Sequence, residues 1–335
     1  MSIELPHLRL GLAGFTAEQQ DAAARMVAQV SPPHVAWHVG AFSDADGWWM
    51  QGSRSSLVGE GVLRVAPGAP TARSIQINLA EVDRPLAFAK PVSPQFARAQ
   101  SFDLGNPDEV KAVLEKFTGW LQPLLAQYGL ASCLVEHYSA LGPGVFDVIL
   151  DGRLIAVVDM RGTIGILPTA GATEFQDAMW RRRANTEHMP EEFVRTSVSQ
   201  LMWQYAQRTR RDLLPMHYRT NPLYFRRPPR LPQQMLKDAH LLLLRELAMA
   251  PGTFQDLEQR TGLVGVQLAR PLAALYYVGS ITSNPKRAAP GSLQRHGLGD
   301  SVHNSSVLPS SAFDSRPPRM PPVRPDFTAP APLMR

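Results

Sequence analysis

Residues 8–42 read LRLGLAGFTAEQQDAAARMVAQVSPPHVAWHVGAF, and the order of textures in this stretch decides the fold class. The first eight residues are a short apolar run. Thr16 is placed to cap the helix AEQQDAAARMVAQV, Ser31-Pro32-Pro33 stops it, and a second apolar run opens at Val35. Near-continuous apolar strands separated by a helix predict a parallel sheet covered on both faces. Working outward, ADGWWMQG, SIQINL (Ser74 to Leu79) and LAFAKPV (Leu86 to Val92) read as further strands. A helix is expected from Pro107 to about Tyr128.

The order of these strands, the Lys90-Pro91 step after the last and the closing helix resemble the receiver domain of response regulators over about residues 6–128. That resemblance implies a paired acidic cluster after the first strand, an acceptor aspartate ending the third, and a lysine facing the phosphoryl group. This sequence keeps only Lys90. Gly14, Phe15 and Thr16 stand where carboxylates belong, and ADGWWMQG ends on Gly52 and Ser53. Without oxygens for a divalent ion the phosphoryl charge is uncompensated, so the domain is expected not to be phosphorylated. Asp44 and Asp46 fall in the turn-rich SDADG, where aspartate ordinarily bonds its own backbone.

Between Val145 and Leu167, VFDVILDGRLIAVVDMRGTIGIL carries the turn steps Asp151-Gly152 and Arg161-Gly162 between alternating β-prone runs, which predicts an antiparallel meander. Alternation directs Asp147 and Asp159 outward. Two helical patterns follow, TEFQDAMWRRRAN from Thr173 and EEFVRTSVSQLMWQYAQRTRRDLL from Glu191. In the second, Phe193, Ser197, Leu201, Tyr205 and Thr209 recur at spacing four, as a helix lying on the meander would. The arginines at 181–183, 208, 210 and 211 are interspersed with carboxylates and are expected on a solvated, mixed-charge surface. Arg226, Arg227 and Arg230 are the candidate anion contacts. Arg226 and Arg230 in RRPPR resemble the R-x-x-x-R half of the cyclic-dinucleotide signature of PilZ domains, whose companion D/N-x-S-x-x-G is missing.

Leu236, Ala239, Leu243 and Leu247 line a helix that Pro251-Gly252 ends. Thr253 caps a second helix with Asp256 in its first turn, Gly262 is the left-handed turn residue, and a third helix runs from Val264 to Tyr277 before a strand at Gly279 to Ile281. Three helices, a strand and a basic loop resemble the winged helix-turn-helix family over about residues 233–289. The resemblance implies that the third helix enters the major groove and the wing touches the backbone. Gln267 and Arg270 are then the base-edge candidates, and Lys286, Arg287 and Arg260 the phosphate contacts; a protein partner on the same residues is the alternative. Pro271 removes a backbone bond from the interior of that helix.

The expected organisation is α/β plus α+β: a receiver-like doubly wound sheet at 1–130, a β-meander with helices at 131–225, a winged-helix-like module at 226–289 and a disordered Pro-rich tail at 290–335. A net charge of +5 permits an anionic partner. The single cysteine, Cys133, fits a reducing compartment and reads as a small buried thiol, not a metal ligand. No apolar run spans a membrane and no leader pattern opens the chain, so a soluble cytoplasmic protein is expected. Nucleotide-binding, metalloprotease and serine-hydrolase motifs are absent. The expectation is a non-enzymatic signalling or transcription-type regulator without a cofactor, contacting DNA or a protein. A protein-interaction adaptor and a cyclic-dinucleotide effector are the alternatives.

Overall fold

The computed structural model describes residues 4–59, 61–68, 74–160, 162–183 and 188–290. The expected Pro-rich tail beyond Pro290, together with Arg161 and Glu187, lies outside them. Strand β1 (His7–Ala13) leads into α1 (Ala17–Val30), whose Thr16 cap accepts the Gln19 N–H at 3.3 Å while the Gln19 side chain accepts the Thr16 N–H at 3.0 Å. There follow β2 (Ala36–Gly40), β3 (Gly47–Gln51), β4 (Ser55–Leu57), β5 (Val62–Val65), β6 (Ile75–Asn78), β7 (Leu86–Ala89), β8 (Ser101–Phe102) and α2 (Pro107–Trp120). Five of these strands form a parallel sheet in the order β2-β1-β3-β7-β8.

The two faces of this sheet are covered differently. Leu8, Leu10, Trp37 and Trp49 meet Ala23 and Val27 of α1 and Leu114 and Phe117 of α2. On the opposite face Ala13, Met50 and Phe88 pack on Leu63, Val65 and Ile77. Helices therefore cover one face, and a three-stranded antiparallel sheet, β4-β5-β6, covers part of the other. The SIQINL run, expected in the parallel sheet, is β6 of this smaller one. Its neighbours Val62 to Val65 alternate with period two, which suits a hairpin and not a crossover helix.

The helix expected to end near Tyr128 is two helices. Pro123 opens α3 (Gln122–Leu141), and the boundary expected at residue 130 falls inside it. Leu125 belongs to the first core, and Ala126 to Leu134 contribute to the second. That second core lies on the expected meander of β9 (Val145–Leu150), β10 (Arg153–Asp159) and β11 (Thr163–Ile166). Asp151 and Gly152, at φ 47° and 79°, make its first turn.

Both helical expectations after the meander need correction. TEFQDAMWRRRAN gives one helical turn, α4 (Glu174–Asp177), and then strand β12 (Met179–Arg182) on β9. The second pattern begins as strand β13 (Val194–Ser197) on β11, and α5 (Val198–Arg208) starts only after Ser197 caps it. The sheet order is β12-β9-β10-β11-β13, covered by α5 as expected and also by α3, which was not. Asp147 is not directed outward. It is 1% exposed, held by Arg181 at 3.1 Å and Arg183 at 3.0 Å, so this part of the arginine cluster is no plain solvated surface.

The last part comprises α6 (His217–Thr220), β14 (Tyr224–Phe225), α7 (Asp238–Met249), α8 (Phe254–Thr261), α9 (Val266–Tyr277) and β15 (Ile281–Thr282). Thr253 caps α8 with Asp256, and Gly262 ends it at φ 71°, as the sequence leads one to expect. Strand β15 pairs antiparallel with β14, which precedes residue 226, so this module reaches further back than expected. Pro271 sits inside α9, which opens at Val266. Leu268, Leu272 and Leu275 of α9 share a core with Leu243 and Leu247 of α7 and with Trp203 and Ala206 of α5. Among the described residues no helix is long and apolar enough to cross a membrane.

Candidate functional site

Alternation along β1 places His7 and Arg9 on the face that carries no helices, at the amino end of the strand, while β4-β5-β6 covers its carboxyl end around Ala13. The uncovered end meets the last turn of α5 and the segment entering α7. Asp46 and Arg9 extend the β1–β3 ladder, the Asp46 N–H donating to the Arg9 carbonyl at 2.7 Å and the Arg9 N–H to Asp46 Oδ2 at 2.9 Å. Arg208 from α5 grips the same carboxylate with two N–H groups, at 2.9 and 2.7 Å. The Arg9 guanidinium donates to the Gln207 carbonyl at 3.0 Å, and Lys237 pairs with Asp44 at 3.0 Å. Asp44 and Asp46 thus bind distant cations instead of their own turn.

Two adjoining cavities of about 730 and 540 Å³ open among these contacts and share Arg9, Asp44, Gln207 and Lys237. Both have the size of a small-molecule site. The larger adds Leu121, Leu124 and Trp203; the smaller adds Leu263, Val266, Gln267, Arg270 and Pro271.

His240 of α7 lines the smaller cavity and is 1% exposed. The Lys237 N–H donates to its Nδ1 at 3.1 Å, so the ring proton resides on Nε2. The Gln207 amide lies 2.8 Å from Nε2, and hydrogen-bond logic turns its oxygen toward that proton. Burial, and then the charge of Lys237, lower the His240 pKa to about 4. His7 is likewise lowered to about 4, by burial and then by Arg210, and His38 is lowered by burial and by Arg9. These imidazoles bind protons more readily once unfolded, so stability rises with pH between about 4 and the ordinary 6.5 and is fully present above it. Urea unfolding followed across this window is expected to show that slope, and a His240→Gln variant is expected to show a shallower one, with His7 and His38 supplying the remainder.

The structure disperses most of the residues singled out in the sequence. Gln267 is exposed on the rim of the smaller cavity, and Arg270 is half-buried in its wall, donating to the Thr209 carbonyl at 3.4 Å. Arg260 instead closes the α7–α8 turn, donating to the Ala250 and Pro251 carbonyls at 3.2 and 3.3 Å. Lys286 and Arg287 are exposed beyond β15. Arg227 is committed to the Val278 and Gly279 carbonyls, each at 3.3 Å, at the end of α9; the Arg226 N–H extends the β14–β15 pairing, and Arg230 is exposed. Lys90 pairs with Glu109 at 3.0 Å. At Gly52 an added Cβ would stand 2.6 Å from the Pro91 carbonyl, so the carboxyl end of β3 has no room for an acceptor side chain. Cys133 is buried, its thiol pushed up to about 12 by burial and by Glu136, in line with an inert core role.

Sequence reading passes over Arg9, Gln207, Lys237 and His240, and it places Asp44 and Asp46 in their own turn and Arg208 on a solvated surface, where the structure instead pairs them across the chain. One signal was available: His240, Leu243 and Leu247 recur at spacings of three and four, which places the imidazole on the buried face of α7. Among the described residues no three His, Cys, Asp or Glu side chains gather as metal ligands would. Comparison of the chain with protein-family models, with curated proteins and with solved structures finds no match.

Proposed function

We propose that this protein is a non-catalytic regulator in which the three-helix module docks a protein partner and the α/β domain is a receiver-like unit that does not take phosphate. The observation that carries the reading is the burial of α9. From Leu268 to Leu275 every residue is buried except Arg270, which is half-buried and turned toward Thr209. A helix that reads DNA must offer an exposed edge of polar side chains to the groove. Helix α9 exposes only Val266 and Gln267, at its start. Two large apolar side chains, Val264 at 66% and Val266 at 69% exposure, stand out at the α8–α9 turn, as suits a protein surface.

The strand order β2-β1-β3-β7-β8 is one used by doubly wound receiver and flavodoxin-type sheets, and it supports the receiver-like description. The Lys90–Glu109 pair and the crowding at Gly52 support the loss of phosphorylation. A non-catalytic role agrees with the commitment of Asp44, Asp46, Arg208 and Lys237, around the two cavities, to ion pairs.

The test joins two measurements on the full chain. Titration of a labelled random-sequence duplex at low salt is expected to give at most weak binding that Gln267→Ala leaves unchanged and that added salt abolishes. Affinity capture from cells expressing the tagged protein is expected to recover a partner that the Val266→Asp variant loses. Saturable duplex binding that survives added salt and that Gln267→Ala weakens would overturn the docking reading in favour of DNA contact.

A further inference from the structure

The charge count of the smaller cavity is uneven. Its wall carries Arg9, Lys237 and Arg270 against one carboxylate, Asp44, and Lys237 engages that carboxylate at 3.0 Å. Arg9 is satisfied by a single backbone carbonyl, that of Gln207 at 3.0 Å, and Arg270 by that of Thr209 at 3.4 Å. Among the described residues neither guanidinium has a carboxylate at ion-pair distance. Half-buried arginines nearby are treated otherwise: Arg208 has Asp46, and Arg211 has Glu4 and Glu136. A guanidinium carries five N–H donors, so Arg9 and Arg270 each hold several donors toward the cavity in excess of their acceptors. Their mutual repulsion is felt across it, since burial and then the charge of Arg9 hold the Arg270 pKa below its usual value.

Ala239, Leu263, Val266 and Pro271 give the same wall an apolar stretch, beside the polar Gln207, His38 and His240. A cationic end beside an apolar wall, in about 540 Å³, matches an amphipathic molecule of modest size. We propose that this cavity binds a small organic anion, with its carboxylate or phosphate-ester oxygens between Arg9 and Arg270 and its apolar body along Leu263, Val266 and Pro271. Anionic oxygens supply the missing acceptors, and guanidinium pairs favour them through charge-assisted bonds. Arg9 comes from β1 and Arg270 from α9, so an occupant ties the three-helix module to the parallel sheet. Val266 is shared with the proposed docking surface, so the anion is titrated in the absence of partner and duplex and its binding is read independently of that reading.

The test uses the full chain with octanoate, octyl phosphate and octanol, read by calorimetric titration and by the shift in melting temperature. Both anions are expected to bind saturably and to raise the melting temperature, because a ligand of the folded state stabilises it. The neutral alcohol is expected to do neither. Preference between the two anions identifies the head group. Arg270→Gln is expected to weaken anion binding about tenfold, the loss of one charge-assisted contact. Gln267 lies exposed on the rim, so substitutions there leave the core intact. Gln267→Lys is expected to tighten binding and Gln267→Glu to weaken it, each by about threefold, while Lys286→Gln, away from the cavity, changes nothing. Octanol binding as well as octanoate, failure of both anions to bind, or equal affinity in the two Gln267 variants would overturn the proposal.

Discussion

Asp46→Ala is expected to lower the unfolding free energy by about 3 kcal/mol, seen as a reduced urea midpoint at unchanged slope. The carboxylate is 8% exposed, and both its oxygens are engaged by Arg208, whose side chain is 19% exposed. Oδ2 also accepts the Arg9 N–H at 2.9 Å. Arg208 Nε has no partner among the described residues, so the guanidinium depends on Asp46 for its compensation. Truncation therefore strands a half-buried cation and a ladder N–H together, and the cost of breaking such a pair exceeds what the pair contributes when intact. Replacing both members, as Asp46→Ala with Arg208→Met, is expected to recover much of the loss, because an apolar chain in that position needs no acceptor. Asp83→Ala is the control: this carboxylate is 71% exposed and, among the described residues, pairs with its neighbour Arg84 alone, so its removal is expected to change stability little. A loss of less than about 1 kcal/mol for Asp46→Ala would mean that apolar packing, and not this ion pair, seats α5 against the parallel sheet.

The same residue shows where sequence reading stops. In SDADG an aspartate has a ready local acceptor role, and nothing nearby announces a guanidinium from α5, which lies 162 residues further along. Lys237 and Asp44, and Gln207 and His240, are equally remote in the chain. Local features were legible because their causes are local. Thr16 and Thr253 have their capping partners three residues on, Asp151-Gly152 has a turn that only its own backbone decides, and Gly262 ends α8 in a conformation other residues resist. Strand β13 was misread for a physical reason. Positions four apart, such as Phe193, Ser197 and Leu201, fall on one side of a helix and also on one side of a strand, so that spacing does not separate the two periods. The edge of β11 decides the matter by pairing with Val194 to Ser197. β12 and the small β4-β5-β6 sheet are alike: segments of three or four residues acquire strand conformation from a partner, which a single short pattern does not display. Helix α9 carries Leu268, Leu272 and Leu275, which a core position asks for, but nothing in its own segment announces that part of its cover is α5, a helix from a different part of the chain.

Glu4→Gln is expected to cost about 2 kcal/mol near neutral pH and to become indistinguishable from the parent protein in acid. Glu4 precedes β1 and reaches the end of α5, where Tyr205 donates its hydroxyl at 2.7 Å, the Arg210 N–H donates at 2.9 Å, Thr209 donates its hydroxyl, and Arg211 lies at 3.2 Å. The carboxyl end of a helix repels a carboxylate, so these donors are what make the position tenable. Burial alone would push the Glu4 pKa up; the bonds from Thr209, Tyr205 and the Arg210 N–H outweigh it and leave the folded value below the ordinary 4.5. The contribution is therefore complete above pH 4.5 and is lost as pH falls through the lower, folded value. Glutamine keeps the shape but accepts with one oxygen and carries no charge, so the gap between the two proteins should close over that acid range when both are unfolded in urea at successive pH values. A gap that persists unchanged into acid would assign the loss to hydrogen-bond geometry, and the strut between β1 and α5 would then be neutral in character. The distinction bears on the smaller cavity as well. Thr209, which donates to Glu4, also offers its carbonyl to Arg270, so a charged strut at Glu4 fixes the residue from which one of the two uncompensated guanidinium groups is hung.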